Sequence, residues 1–443
     1  MKNNFLIVLF LISIILSSQE KSRYSLQEAI DTALKNNVNI KKAAIDLKIA
    51  DAKVWETKAA GLPQISGSFG YNYFLDEQEQ VFPASFSGNS NATGLVTIGT
   101  GIKQSMSAGA TLSQLLFNGS YLVGLQSVKV YKMISELAKQ KTEKGVKEAV
   151  QYAYSSVVVA DENSRILNEN LKISDKNLHD ISEIYKVGLG EEQSVDQMKY
   201  NHSSLNMAIK NTEESKKALL NSLKYLLGIS IDSKIELSTT LDELISKNTS
   251  LVDDISEKSL ENHIDLKIAE NEVKSNKLQV KNEQSKYLPT VAAFLTDTYS
   301  AFSDTFEWNG GKYWNNTAIV GLSVEIPIFS SFSRKSKVEQ AKLNLEKSEI
   351  DQLDLKQNLV KEAQNKKIDY ENALSKFNNT KELIALSDKI FKKEQIKFYE
   401  GIGNSSDLSI AEKQKYDAQS QYIDASFQLI QSKIALDKAL DKL

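Results

Sequence analysis

The side chains able to carry chemistry here are carboxylates and three histidines, in a chain of 443 residues with no cysteine. The missing thiols exclude disulfides, thiolate catalysis, a Cys-rich metal site and a lipid attached to an N-terminal cysteine. His179, His202 and His263 do not stand at metal-ligand spacing from one another. There is no nucleophile–base pair, no phosphate-binding loop and no metal-ligand motif, so neither enzyme activity nor a cofactor is expected. The 54 basic and 57 acidic residues are interspersed, giving a net charge of −3. Nucleic acid would need a basic patch and is not an expected partner. The notable carboxylates follow two glycine-broken segments. Ser194 and Asp196 come just after Gly188 and Gly190, and Asp407 comes just after Gly401 and Gly403. The glycines read as turn residues. Ser194 and Asp407 each precede a helical run and suit an N-cap, and Ser194 with Gln197 has the capping-box pattern.

Those breaks belong to an internal duplication. Asp46–Pro63 and Asp265–Pro289 are both polar, alanine-containing helical patterns that stop at Leu-Pro. A proline there ends the helix, because the residue before it is pushed toward extended geometry. Leu116-Phe117-Asn118-Gly119 parallels Ile328-Phe329-Ser330-Ser331, and Tyr185-Lys-Val-Gly parallels Tyr399-Glu-Gly-Ile-Gly. Each copy therefore reads helix, strand, loop, strand, long helix, glycine break, shorter helix. The first repeat spans 19–228 and the second 256–443, with a linker over 229–255. The tip turns fall at 187–193 and 400–406. The long helices, near 120–186 and 332–399, would each extend roughly 100 Å at 1.5 Å per residue. One carries an apolar seam at Val146, Ala149, Val150, Ala153 and Val157. Leu383, Leu386 and Ile390 read as the corresponding coiled-coil seam of the other. The shorter helices are expected near 24–60, 191–227, 256–287 and 405–440.

The strands, near 63–74, 101–117, 289–299 and 318–329, have a period of two. Ile65, Gly67, Phe69, Tyr71 and Tyr73 share one face, and Ser66, Ser68, Gly70 and Asn72 the other. Dyad alternation over runs of this length is the signature of a transmembrane β-strand. Phe302, Phe306, Trp308, Tyr313 and Trp314 resemble an interfacial aromatic girdle. Four strands leave two open edges, which lipid does not tolerate, so subunits must share a barrel. Three subunits give twelve strands, and counting alone leaves two or four open. The N-terminus reads as a secretory signal over 1–18, with Lys2 before an apolar Phe5–Leu16 too short to span a bilayer.

The order of these features resembles the TolC-like outer membrane efflux proteins. The residues that carry the resemblance are Leu62-Pro63 and Leu288-Pro289, the junction around Pro327 and Phe329, its counterpart at Phe117, and the two glycine turns. Leu115 departs from the pattern by standing where the second copy has Pro327. The resemblance implies an α+β membrane protein. It would be a homotrimeric 12-stranded barrel in outer-membrane lipid, four strands per chain, continued by a coiled-coil α-helical tunnel in the periplasm. It implies a passive exit duct for tripartite efflux or type I secretion, with a periplasmic adaptor (membrane fusion) protein and an inner-membrane RND, ABC or MFS pump as partners. It also places a ring of carboxylates after the second tip turn, where Asp407 falls; Ser194 is its counterpart in the first repeat, with Asp196 nearby. Ile410 stands where a second aspartate would be, so the constriction is expected to be less charged or differently built. The competing reading is a secreted, non-spanning coiled-coil structural or adhesion protein.

Overall fold

A computed structural model describes residues 23–76, 79–88, 93–99, 101–249, 255–305 and 314–443. The signal segment over 1–18 and the aromatics Phe306, Trp308 and Tyr313 lie outside the described residues. The strands are β1 Arg23–Tyr24, β2 Gln64–Tyr73, β3 Glu79–Pro83, β4 Leu95–Gly99, β5 Gln104–Phe117, β6 Glu236–Leu237, β7 Thr290–Ser303 and β8 Trp314–Glu325. The helices are α1 Leu26–Asn36, α2 Val38–Ala59, α3 Gly119–Lys186, α4 Glu192–Leu227, α5 Leu241–Asn248, α6 Ile264–Ser285, α7 Ser333–Tyr399 and α8 Ser405–Ala439. None of the described helices is long and apolar enough to cross a membrane. The residues divide into two compact units, one holding Lys48–Ile134 and Asn271–Glu349, the other the rest.

The first unit is built around one antiparallel sheet in the order β2-β5-β7-β8. The two repeats meet at β5 and β7, which leaves β2 and β8 as open edges. Register makes the alternation two-dimensional. Ile65, Leu112, Leu295 and Val320 lie side by side across the sheet, and the next row is Ser66, Thr111, Thr296 and Ile319. One face is thus aliphatic and aromatic, with Ile65 at 79% and Val320 at 81% exposure. The other is largely hydroxyl, tied by Thr111 Oγ1 to Thr296 Oγ1 at 3.1 Å and Asn72 Nδ2 to Ser105 Oγ at 3.3 Å. Phe294 is an exception on the hydroxyl face, where its ring lies against Gly321; a Cβ there would come within 2.7 Å of it. Asp297 is an exception on the apolar face, accepting a bond from Asn316 Nδ2 at 2.7 Å.

The strand-to-helix step of the second copy differs from the sequence expectation. β8 ends at Glu325 rather than near 329, ahead of Pro327, which has no N–H to give a ladder. The chain then turns through Ser331 and Phe332 at φ 48 and 62, a left-handed step without glycine. Phe329 and Phe332 pack edge to face there, 5.9 Å apart. On the other copy, Phe117 closes β5 beside an irregular register at Leu115. Pro63 and Pro289 stand directly before β2 and β7. The loop after β2 holds a further ribbon, β3 with β4, rich in the β-formers Val81, Phe82, Val96 and Ile98.

The second unit is helical around one large core that includes Tyr154, Leu223, Leu227, Leu244, Leu429 and Leu436, all buried. The expected helix 24–60 is two helices, because Asn37 interrupts it. Its Oδ1 accepts from Asn39 N at 2.8 Å and its Nδ2 donates to Leu226 O at 2.7 Å. Within the linker, β6 pairs in parallel with β1, α5 follows, and residues 250–254 lie outside the described residues. Tyr154 fastens this corner by donating to Tyr24 O at 2.8 Å and accepting from Thr239 N at 3.3 Å. In the α3 seam Val146, Val150 and Val157 are buried, with Ala149 and Ala153 half-buried. The α7 seam differs. Leu383, Leu386 and Ile390 are 45%, 55% and 37% exposed, while Phe377, Thr380, Ser387 and Phe391 form the buried stripe. One helix carries two stripes, and the chain itself covers only one.

Candidate functional site

The two glycine turns close in the same way. After α3, Gly188 N donates to Tyr185 O at 2.9 Å and Leu189 N to Ile184 O at 3.1 Å. After α7, Gly401 N donates to Phe398 O at 3.1 Å and Ile402 N to Lys397 O at 3.0 Å. This is the Schellman closure, with glycine left-handed at φ 77 and 74. The second glycine of each turn has another reason. A Cβ on Gly403 would lie 2.9 Å from Lys397 Cβ, and one on Gly190 would lie 3.2 Å from Ile184 Cγ2. One glycine supplies the bend and the next lets the chain pass close to the helix it has left.

The following helices start three residues earlier than the capping expectation required. Glu191 is the N-cap of α4 and makes no side-chain cap bond. Asn404 is the N-cap of α8, its Oδ1 accepting from Asp407 N at 2.7 Å. Ser194 and Asp407 are therefore both third residues of their helices and cap neither. Ser194 has no capping box with Gln197; its Oγ instead meets Ser405 Oγ at 2.5 Å, joining the starts of α4 and α8. A recess of about 580 Å³ opens beside that contact, lined by residues of both turns, Leu189, Gln193, Ser194, Phe398 and Asn404 among them. Asp407 is exposed and lies in the first turn, where a carboxylate suits the helix dipole. Ile410, one turn on, is also exposed, whereas Leu408 and Ala411, the residues that follow each of them, are buried against Phe391. Asp196 is exposed and paired with Lys199 at 3.2 Å.

Contacts that tie these segments down were not singled out from sequence. Tyr399, the last residue of α7, donates to Asp180 Oδ2 of α3 at 2.7 Å. Burial, reinforced by Asp180, pushes its hydroxyl up to about 12. His202 and Asp175 meet at 2.7 Å between α4 and α3. His263 is buried, its Nδ1 accepting from Asp265 N at 3.1 Å. Between α3 and α8 runs a polar seam in which Asn170 meets Gln419 and Tyr416, and Asn177 meets Glu412; Asn170, Asn177, Glu412 and the Ser174 that lies between the two asparagines in α3 are buried. Its signal in sequence is helical spacing, since both triplets fall at i, i+4 and i+7 in one or other direction.

Comparison with known proteins agrees with this architecture. The profile of a family described as outer membrane efflux protein matches residues 29–229 and 255–441. The outer membrane efflux protein BepC of Brucella suis is 23% identical over 352 residues, covering 79% of this chain and 70% of BepC. Among solved structures, CusC superposes with a TM-score of 0.76 at 16% identity, covering 94% of this chain and 91% of CusC. The outer membrane protein VceC of Vibrio cholerae gives 0.72 at 16% identity, with 94% and 95% covered.

Proposed function

From the premise that the chain belongs to the outer membrane efflux protein family, an outer-membrane channel rather than an enzyme, we propose that it is an exit duct serving tripartite efflux or type I secretion. It is a passive conduit. Transport energy comes from an inner-membrane pump of the RND, ABC or MFS class, reached through a periplasmic adaptor. The observation that carries this reading is the sheet. It has one face fit for lipid, one fit for water, and unpaired edges at β2 and β8. Such edges in a bilayer require further copies, and a homotrimer closes them into twelve strands. The exposed stripe of Leu383, Leu386 and Ile390 on α7 offers a helical surface for the same assembly.

A threefold axis would make Asp407 a ring of three carboxylates, which we assign as the periplasmic constriction. With Ile410 exposed one turn further on, that ring has an apolar neighbour instead of a second acidic layer. Asp196, paired with Lys199, and uncharged Ser194 would add little to its field. The test is the protein mass of the complex extracted from outer membranes in mild detergent. A mass of three chains is expected. A monomer in the soluble fraction would overturn the channel and return the secreted coiled-coil reading.

A further inference from the structure

We propose that Glu412 is a proton-binding gating site: protonated, it holds α8 against α3, and ionised, it favours their separation, so that the channel closes toward acid pH. The inference rests on the channel reading above. Glu412 is a carboxyl group with no exposed surface, in the second turn of the helix whose first turn carries Asp407. Its Oε1 takes the Tyr416 hydroxyl in a very short bond, and its Oε2 receives Asn177 Nδ2 at 3.4 Å. Tyr416 is also 3.4 Å from Asn170 O, and Asn170 Nδ2 donates to Gln419 Oε1 at 2.7 Å. The seam therefore has a partner for the carboxyl in either state. Ionised, Glu412 accepts from Tyr416 and Asn177. Protonated, it can donate to the Tyr416 oxygen, leaving the phenol proton for Asn170 O. A proton is the one ligand that needs no room beyond these bonds.

The seam is also incomplete. Ser174 Oγ and Asn177 Oδ1 are buried without any partner. Water would satisfy both once α8 moved away from α3, so the packed arrangement is poised rather than locked. From α3 the uncharged Asn177 meets Glu412 itself and Asn170 meets Tyr416 and Gln419, and α4 reaches this part of α8 through Asn201, which donates to Ser409 Oγ at 2.9 Å. The charges are Lys415 on α8 itself and Asp388 on α7. Asp388 holds Lys415 at 3.1 Å and Lys392 at 2.6 Å, and Lys415 also lies over the Phe391 ring. The Lys392 bond leads in lowering the Asp388 carboxyl, so it stays ionised while Glu412 titrates.

Burial is the main influence on Glu412 and raises it above its ordinary value of 4.5, against the opposing pull of Tyr416, Asn177 and Lys415. A parted seam would hydrate the carboxyl and return it toward that value. The packed state is thus favoured fully below the ordinary value, and the advantage is lost as pH rises through the raised one.

The experiment is the open fraction of full-length channels in planar bilayers, titrated from about pH 4 to about pH 8, a range spanning carboxyl and histidine titration. Wild type should open stepwise as pH rises. E412Q should lose the step, and D407N should keep it while changing cation block. Y416F removes a bond that favours the ionised form, so its step should move to higher pH. In parallel, the infrared carbonyl band of a buried protonated carboxyl should be present in wild type and missing from E412Q. A step that survives E412Q, or a midpoint that Y416F leaves in place, would overturn the proton site. Channels that never conduct would instead count against the duct reading, and the infrared band would still decide whether Glu412 holds a proton.

Discussion

Neighbouring residues on β7 give the most direct test of which face meets lipid. Leu295 lies in the row with Ile65, Leu112 and Val320, on the apolar face, and is 46% exposed in the single chain. Thr296, one residue on, bonds Thr111 on the hydroxyl face. A lysine on the lipid side of a barrel strand costs about 2–4 kcal/mol near the bilayer centre and little on the lumen side. Each 1.4 kcal/mol is tenfold, so Leu295→Lys should shift the folding equilibrium by roughly 30- to 700-fold per chain. Thr296→Lys should fold nearly as wild type and add three positive charges to the lumen, moving selectivity toward anions. Urea unfolding in lipid vesicles measures the first effect, and reversal potential in a salt gradient measures the second. Equal destabilisation by the two lysines would refute the assignment of faces. The reverse order would mean that the sheet is turned inside out, as a one-residue register slip would make it.

Asp407→Ala should abolish block of the conductance by multivalent cations while leaving assembly intact; undiminished block would remove Asp407 from the constriction. Gly401→Ala forces a Cβ into the left-handed region at φ 74 and should cost about 1–2 kcal/mol. Gly403→Ala, with ordinary backbone geometry but a Cβ 2.9 Å from Lys397, should be at least as disruptive. Thermal unfolding measures both, and an unaffected Gly403→Ala would contradict the close approach. Tyr154→Phe removes the hydroxyl that joins Tyr24 O and Thr239 N, and should cost about 1–3 kcal/mol in a urea titration. Tyr24 O keeps its bond from Ser238 N at 2.9 Å, so a loss well above that range would mean that the ring, not the hydroxyl, carries the effect.

What could be read from sequence follows from how each pattern is encoded. Period-two alternation is written residue by residue, so the four strands and their polar and apolar faces were legible before any pairing was known. The β5–β7 junction between repeats was not, because nothing local distinguishes pairing within a hairpin from pairing across it. Asp407 and Ser194 were given the wrong place in their helices for a physical reason. The residues favoured at an N-cap are also favoured in the first turn, and here Asn404 competes three positions earlier. Asn37 hid because an asparagine inside a polar helical run looks like surface until its two bonds are seen. Leu383, Leu386 and Ile390 misled in another way: apolar spacing identifies a face that must be covered, not what covers it.

The polar seam turns that reasoning around. Asn170 and Asn177 on α3 meet Gln419, Tyr416 and Glu412 on α8 at the spacing of a leucine seam, but apolar periodicity is blind to it. A leucine seam here would bind the two helices by area alone and would not respond to pH. Hydrogen-bonded amides and hydroxyls hold them in register while keeping the cost of separation low, since water can replace each bond as it breaks. The one carboxyl in it, Glu412, makes that cost depend on the proton. The arrangement therefore suits helices that must pack and part. Among the described contacts it lies on the helix that carries Asp407, five residues beyond it, where a small displacement of α8 would widen the proposed ring.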